Sequence, residues 1–147
     1  MNSIRGRVKI NILNLQKKIP VGKLLVSKIK KVIKEAIFSE LAGETREISL
    51  CLVTSTIIKR LNRKYFGKNN PTDVIAFNTG DIAVSTDAAV INARIFKTTP
   101  LYELLLYVAH GALHLLGYDD KTIQQRKAME NRAKNIIEKI TTLNVHT

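Results

Sequence analysis

His110 and His114 lie four residues apart in an apolar stretch of the sequence. On a helix, side chains with this spacing share one face, with Cβ atoms about 5–6 Å apart, so both imidazoles can bind one metal ion. Gly117 is the type of residue that ends a helix in the left-handed conformation and lets the chain turn back. Asp119 or Asp120 can then bring a carboxylate to the same ion. Two imidazoles, one carboxylate and a position left to water are typical of a catalytic zinc site.

A histidine pair alone is weak evidence for a metal, because helix histidines can instead bond to nearby carbonyl groups. Two features favour the metal. The chain has three histidines, and two of them lie here. They also lie in the most apolar helix of the sequence, where an imidazole without a partner is costly.

The spacing of the histidines, the glycine and the acidic residue reproduces that of a metzincin zinc helix. Zinc proteases, however, carry a glutamate after the first histidine as general base. Here that residue is Gly111, which we expect to leave room beside the metal. A small metalloprotease is therefore disfavoured.

The charge balance predicts a polyanionic partner. Twenty-four Lys and Arg against twelve Asp and Glu give a net charge of +12, and such a field favours nucleic acid. The alternative explanation for the positive charge is a generally basic proteome or a surface that keeps the protein in solution. Aromatic residues make up 5% of the chain, with no tryptophan, so a base-stacking platform is not evident.

The composition also bears on location and domain count. The sequence shows no signal peptide and no apolar run long enough to cross a bilayer. We therefore expect a cytoplasmic protein with no membrane partner and no nucleotide cofactor. The 147 residues, 45% of them apolar, predict a single domain over 1–147.

Apolar periodicity predicts the secondary structure. The strands are expected at 8–12, 46–53, 73–77 and 81–85, the last two joined as a hairpin. The helices are expected at 22–42, 54–65, 86–95, 99–117 and about 122–140, with Gly43 ending the first and Thr99–Pro100 opening the fourth. This order predicts an α+β domain, a small mixed sheet of about four strands with helices packed on one face. The candidate metal site lies on the fourth helix, which is apolar nearly all round and should be buried.

Residues 110–120 read His-Gly-Ala-Leu-His-Leu-Leu-Gly-Tyr-Asp-Asp. This resembles the motif His-Gly-x-Leu-His-Leu-x-Gly-Tyr-Asp-His of the YbeY family, the bacterial rRNA maturation factors. Matching residues extend the resemblance over roughly 46–137, namely Leu61-Asn62-x-x-Tyr65, Pro71-Thr72-Asp73-Val74-Ile75-x-Phe77, Gly80-Asp81-Ile82 and Met129. The resemblance implies a metal-dependent single-strand endoribonuclease acting in ribosomal RNA 3′-end processing and ribosome quality control. Its implied partners are ribosomal RNA and the small ribosomal subunit.

The resemblance implies a metal site formed by His110, His114 and Asp120. Asp120 stands where the family has a third histidine, and aspartate is a competent zinc ligand. The implied cofactor is one divalent ion, with Zn²⁺ the leading choice. Asp119 is a candidate for orienting a ligand or the water, and its alternative role is to close the turn after the helix.

Further departures from the family pattern lie upstream. Phe66 replaces an arginine of the family's cleft, Asn69 replaces an acidic residue, and Ala76 replaces a serine. Nearby side chains can contact RNA in place of that arginine, or simply form a solvent-exposed helix end and turn: these are Arg63, Lys64, Lys68 and Thr72.

The favoured hypothesis is therefore metal-assisted hydrolysis of RNA phosphodiester bonds, with a metal-bound water as nucleophile and a basic surface holding the RNA backbone. The alternative is a non-catalytic, RNA-binding ribosome-assembly factor that retains a structural metal. The exchanges at Phe66 and Asn69 favour that alternative.

Overall fold

The computed structural model describes residues 7–38 and 46–145, and within the last helix it describes side chains as far as residue 141. The predicted end of the first helix at Gly43 lies outside the described residues. In chain order the elements are β1 (Val8–Asn14), α1 (Lys23–Ile37), β2 (Arg46–Val53), α2 (Ser55–Phe66), β3 (Val74–Ala76), β4 (Asp81–Ser85), α3 (Thr86–Phe96), α4 (Pro100–Leu115) and α5 (Ile123–Val145).

The four strands form one mixed sheet in the order β1-β2-β4-β3. β1 and β4 run parallel to β2, whereas β3 and β4 form the antiparallel hairpin that the sequence predicts. Gly80 closes this hairpin with φ +93°, and a Cβ there would lie 2.7 Å from the carbonyl oxygen of Glu47. Glycine is required at this position for both reasons.

The two faces of the sheet are covered by different helices. Alternate residues of β2 (Ile48, Leu50 and Leu52) point into the main core, which they share with buried side chains of α1, α4 and α5. On the opposite face, Val53 packs with Ile58 of α2 in a second, smaller core. The expectation that all helices pack on one face is therefore wrong. The second side of β2 is apolar at its end, at Cys51 and Val53, and α2, which follows directly, covers that part.

α4 begins and ends where its sequence signals predict. The hydroxyl of Thr99 accepts a hydrogen bond from the backbone N–H of Tyr102 at 3.1 Å, and Pro100 occupies the first turn. At the other end Gly117 adopts φ +96°, and the N–H of Tyr118 donates to the carbonyl of Leu113 at 3.1 Å. This bend carries the chain back beside the last turn of the helix.

Gly111 sets how closely α4 approaches the sheet. A Cβ at this position would lie 2.5 Å from Cγ2 of Ile82 and 3.2 Å from Cγ2 of Val74. The glycine therefore faces β3 and β4, and the expectation that it leaves room beside a metal is wrong. The same contact explains why this position carries no glutamate, since a long side chain would have to enter the packed sheet.

α5 completes the main core with the residues that the sequence predicts to point inward: Met129, Ala133, Ile136, Ile137 and Ile140. In the ranges that the structure describes, no helix combines the length and the apolar character needed to cross a membrane.

Candidate active site

His110 lies on the third turn of α4 with its Nε2 atom buried. Within the described residues this nitrogen is the one buried side-chain nitrogen or oxygen that has no hydrogen-bond partner. Burial lowers the pKa of His110, and the nearby Asp73 carboxylate opposes this shift only in part. The ring is therefore neutral at pH 7, which is the form of imidazole that binds metal ions.

His114 and Asp120 are brought together by the bend at Gly117. Nε2 of His114 lies 3.6 Å from Oδ2 of Asp120, and both side chains are partly exposed. This separation is longer than a hydrogen bond but within the range of an ion pair. The predicted carboxylate therefore reaches the second imidazole.

The three predicted ligands do not converge on a single point. Over residues 7–38 and 46–145, no group of three His, Cys, Asp or Glu side chains has an arrangement that could hold a metal ion. The structure places His114 beside Asp120 and leaves Nε2 of His110 without a partner. A metal centre made of all three side chains stays a prediction.

Asp119 has the local role that its alternative interpretation describes. One of its carboxylate oxygens accepts the backbone N–H of Asp120 at 2.8 Å, and the other lies 3.8 Å from the ammonium of Lys121. Asp119 thus closes the turn that presents Asp120 to His114.

A cleft of about 470 Å³ opens in front of His114 and Asp120. Lys68 and Thr72, two of the predicted RNA-binding residues, lie on its wall. The other two, Arg63 and Lys64, are exposed on α2 but are not among the lining side chains. The ammonium of Lys64 instead lies 5.3 Å from the ring centre of Tyr65.

Asn62 fixes the wall of the cleft, a role that sequence reasoning missed. Its side chain is buried, lines the cleft, and donates to the carbonyl of Asn70 at 3.0 Å. This bond ties the loop that carries Lys68 and Thr72 to α2. The available signal was its spacing, since Asn62 follows the buried Ile58 by four residues and so falls on the inward face of the helix.

Phe66 also lines the cleft and was not predicted to have a role there. Its ring stacks on that of Phe77, with centroids 6.1 Å apart and planes at 28°. The ring of Tyr65 meets the same Phe77 edge-on at 5.1 Å. Tyr65 and Phe66 end α2, whereas Phe77 follows β3, so counting aromatic residues in the sequence did not reveal the cluster.

The first half of α4 is anchored to its neighbours. The hydroxyl of Tyr107 accepts from Nδ2 of Asn92 at 2.7 Å and donates to the carbonyl of Ala88 at 3.3 Å. Burial raises the pKa of Tyr107 to about 12, so this hydroxyl keeps its proton at neutral pH. These bonds to α3 hold the helix on which both histidines stand.

Comparisons with known proteins agree with this architecture. The sequence model of the family described as Endoribonuclease YbeY matches residues 11–141. The Endoribonuclease YbeY of Moorella thermoacetica is 36% identical over 150 aligned residues, covering 88% of this chain and 96% of that protein. The one from Pelotomaculum thermopropionicum is 32% identical, with 84% and 91% covered. The solution structure of TM1509 from Thermotoga maritima covers 89% of this chain and 88% of its own at 32% identity, with a TM-score of 0.63.

The fold and these matches define the class, an α+β nuclease hydrolase of the endoribonuclease kind. Within that class, the chain belongs to the YbeY family of endoribonucleases. The resemblance read from residues 46–137 is thereby confirmed.

Proposed function

We propose that this protein is a metal-dependent, single-strand endoribonuclease acting in ribosomal RNA 3′-end maturation and ribosome quality control. Its partners in this role are ribosomal RNA and the small ribosomal subunit. The observation that carries the metal dependence is the buried Nε2 of His110, which has no partner among the described residues. An unpaired buried polar atom costs about 1–3 kcal/mol, and a bound cation would satisfy it.

The donor set suits a divalent ion. The residues that would hold it are His110 and His114 through ring nitrogens and Asp120 through its carboxylate, and the acidic partner already lies 3.6 Å from His114. Two imidazoles and one carboxylate favour zinc and leave one coordination position open. When bound by these residues, zinc would supply Lewis acidity, which would lower the pKa of a water ligand to about 7 and polarise a phosphoryl oxygen.

The remaining residues of the cleft bind and position the RNA. The ammonium of Lys68 attracts a backbone phosphate. Thr72 lies on the same wall, where its hydroxyl donates to the carboxylate of Asp73 at 3.4 Å and would have to turn from it to bind phosphate. The net charge of +12 steers the polyanion toward the protein and predicts binding that weakens with salt. The turn closed by Asp119 keeps Asp120 beside His114.

Metal content and RNA cleavage, measured on the same preparations, test this function. We expect the wild type to bind about one equivalent of zinc and to cleave single-stranded RNA. His110→Ala and His114→Ala should lose both properties while staying folded. Lys121→Ala, an exposed neighbour of the turn, serves as the matched control and should keep both. Zinc-free wild type that cleaves RNA equally well in chelator would exclude the metal-dependent mechanism.

A non-catalytic RNA-binding assembly factor is the second candidate. Phe66 favours it, because an aromatic ring occupies the cleft wall where the family pattern has an arginine. Equal RNA binding by wild type and His114→Ala, with no zinc-dependent cleavage by either, would support this second function.

A further inference from the structure

Phe66 presents an aromatic ring to an otherwise polar cleft. The side chain is 51% exposed although it lies on the wall shared with His114 and Asp120. One face of its ring is covered by Phe77, which lies behind it at 6.1 Å. The ring is thus stacked on Phe77, half exposed, and part of the cleft wall.

The ring behind Phe66 is itself held in place. Phe77 packs against the smaller core and is contacted edge-on by Tyr65 at 5.1 Å. Phe66 is therefore backed by a fixed surface rather than by solvent. A backed ring with an open face loses little conformational freedom when a second flat group stacks on it.

The groups around the ring suit a nucleic acid. Lys68 lines the same cleft, as do the amide residues Asn62 and Asn78. A cation next to an aromatic face is the combination that binds single-stranded nucleic acid, because the cation holds the backbone while a base stacks on the ring.

We propose that Phe66 is a stacking platform for an unpaired nucleobase of the RNA whose backbone lies in this cleft. The inference rests on the proposed RNA-cleaving function of the same cleft and adds a specificity-determining residue to it. Stacking requires a base that is free of a duplex, so Phe66 favours single strands. It also tolerates every base, since each has a π-face.

A two-by-two binding experiment tests the platform. One axis compares wild type with Phe66→Leu, and the other compares a short single-stranded RNA with the same backbone carrying abasic sites. Affinities are measured in chelator, so that no cleavage occurs. We expect Phe66→Leu to weaken binding of the normal RNA about tenfold and to leave binding of the abasic RNA unchanged within about twofold.

Three further variants sharpen the result. Tyr65→Leu removes a ring of similar exposure that supports the same Phe77 but does not line the cleft, and it should weaken binding of the normal RNA clearly less than Phe66→Leu does. Phe66→Tyr should retain wild-type binding. Phe66→Arg should bind the abasic RNA more tightly and steepen the dependence on salt by about one phosphate contact.

The outcomes separate this inference from the proposed function. An equal loss by Phe66→Leu on normal and abasic RNA would indicate a structural role and overturn the platform, whether or not zinc-dependent cleavage is found. Absence of binding to either RNA would also overturn it. A loss confined to the normal RNA supports the platform even if no zinc-dependent cleavage occurs, in which case the nuclease function alone fails.

Discussion

The buried polar groups in the first half of α4 (100–107) are hydrogen-bonded, whereas one in the second half (108–115) is not. In the first half, the carboxylate of Glu103 accepts from the hydroxyl of Thr98 at 2.6 Å, and the hydroxyl of Tyr107 bonds to α3. One turn further on, Nε2 of His110 is also buried, yet it has no hydrogen-bond partner in the part of the chain that the structure describes.

This difference separates stability from function along a single helix. The partnered groups of the first half contribute to the free energy of folding and fix the orientation of the helix. The unpartnered nitrogen costs free energy that a better-packed side chain would avoid, and native proteins leave few such atoms. A cost of this kind persists where a ligand completes the site. The first half is therefore the scaffold, and the second half carries the candidate site.

Gly111→Ala should give the largest loss of stability, because it breaks the contact that holds the second half against the sheet. The new Cβ would lie 2.5 Å from Cγ2 of the fully buried Ile82. Overpacking costs about 1–3 kcal/mol, and so short a contact with a buried side chain places the cost near the upper value. The gain in helix propensity offsets about 1 kcal/mol, so we expect a net loss of about 2 kcal/mol in urea unfolding.

A double-mutant cycle provides the control for this contact. In an Ile82→Ala background the opposing methyl is absent, so the same Gly111→Ala change should cost clearly less. An equal cost in both backgrounds would show that the second half of α4 is not held by this contact.

His110→Leu, in the same half of α4, should raise stability where Gly111→Ala lowers it. It replaces the unpartnered imidazole with an apolar side chain of similar size, so stability in chelator should rise by about 1 kcal/mol. On the proposal that His110 binds the metal ion, RNA cleavage should fall at least about 100-fold, since loss of a metal ligand exceeds loss of a supporting group. Urea unfolding and cleavage assays on the same sample measure both. A less stable variant in chelator would mean that His110 has a structural partner.

Tyr107→Phe tests the scaffold half and should have a smaller effect. It removes both bonds of the hydroxyl, to Asn92 and to Ala88, and should lower the free energy of unfolding by about 1 kcal/mol. RNA cleavage should stay within about twofold of wild type. Tyr102→Phe, on the same helix but without a side-chain hydrogen bond among the described residues, is the matched control. A large loss of cleavage by Tyr107→Phe would mean that the first half of α4 contributes to the reaction and is not only a scaffold.

Local signals in the sequence were enough to predict the helix that carries the site. The Thr99 cap, the following proline and the glycine at 117 each act within a few residues, so they fix the bounds of α4 without knowledge of the fold. The same signals predict that an aspartate returns to the histidines after the bend, but they leave Asp119 and Asp120 as alternatives. The resemblance to the family selected Asp120, which the structure places beside His114.

Features that depend on rotation and long-range packing were not predictable in this way. α4 is apolar nearly all round, so its pattern does not reveal that Gly111 faces the sheet. On α2, successive residues rotate by about 100°, which sends Arg63 and Lys64 away from the cleft side that Asn62 and Phe66 occupy.

The pH dependence of stability at alkaline pH tests whether the Tyr107 hydroxyl is buried and hydrogen-bonded, as the scaffold role of the first half of α4 requires. An unfolded tyrosine loses its proton near pH 10, whereas burial raises the pKa of Tyr107 in the folded protein to about 12. Between these values the unfolded state binds fewer protons than the folded state, so stability falls as the pH rises.

Tyr107→Phe lacks this contribution, and the other tyrosines titrate equally in both proteins. The stability advantage of wild type over Tyr107→Phe, measured by urea unfolding at about pH 8, should therefore narrow progressively as the pH is raised above about 10. A constant difference across this range would mean that the hydroxyl is open to solvent. The first half of α4 would then no longer differ from the turn that carries His110 in having its buried polar groups hydrogen-bonded.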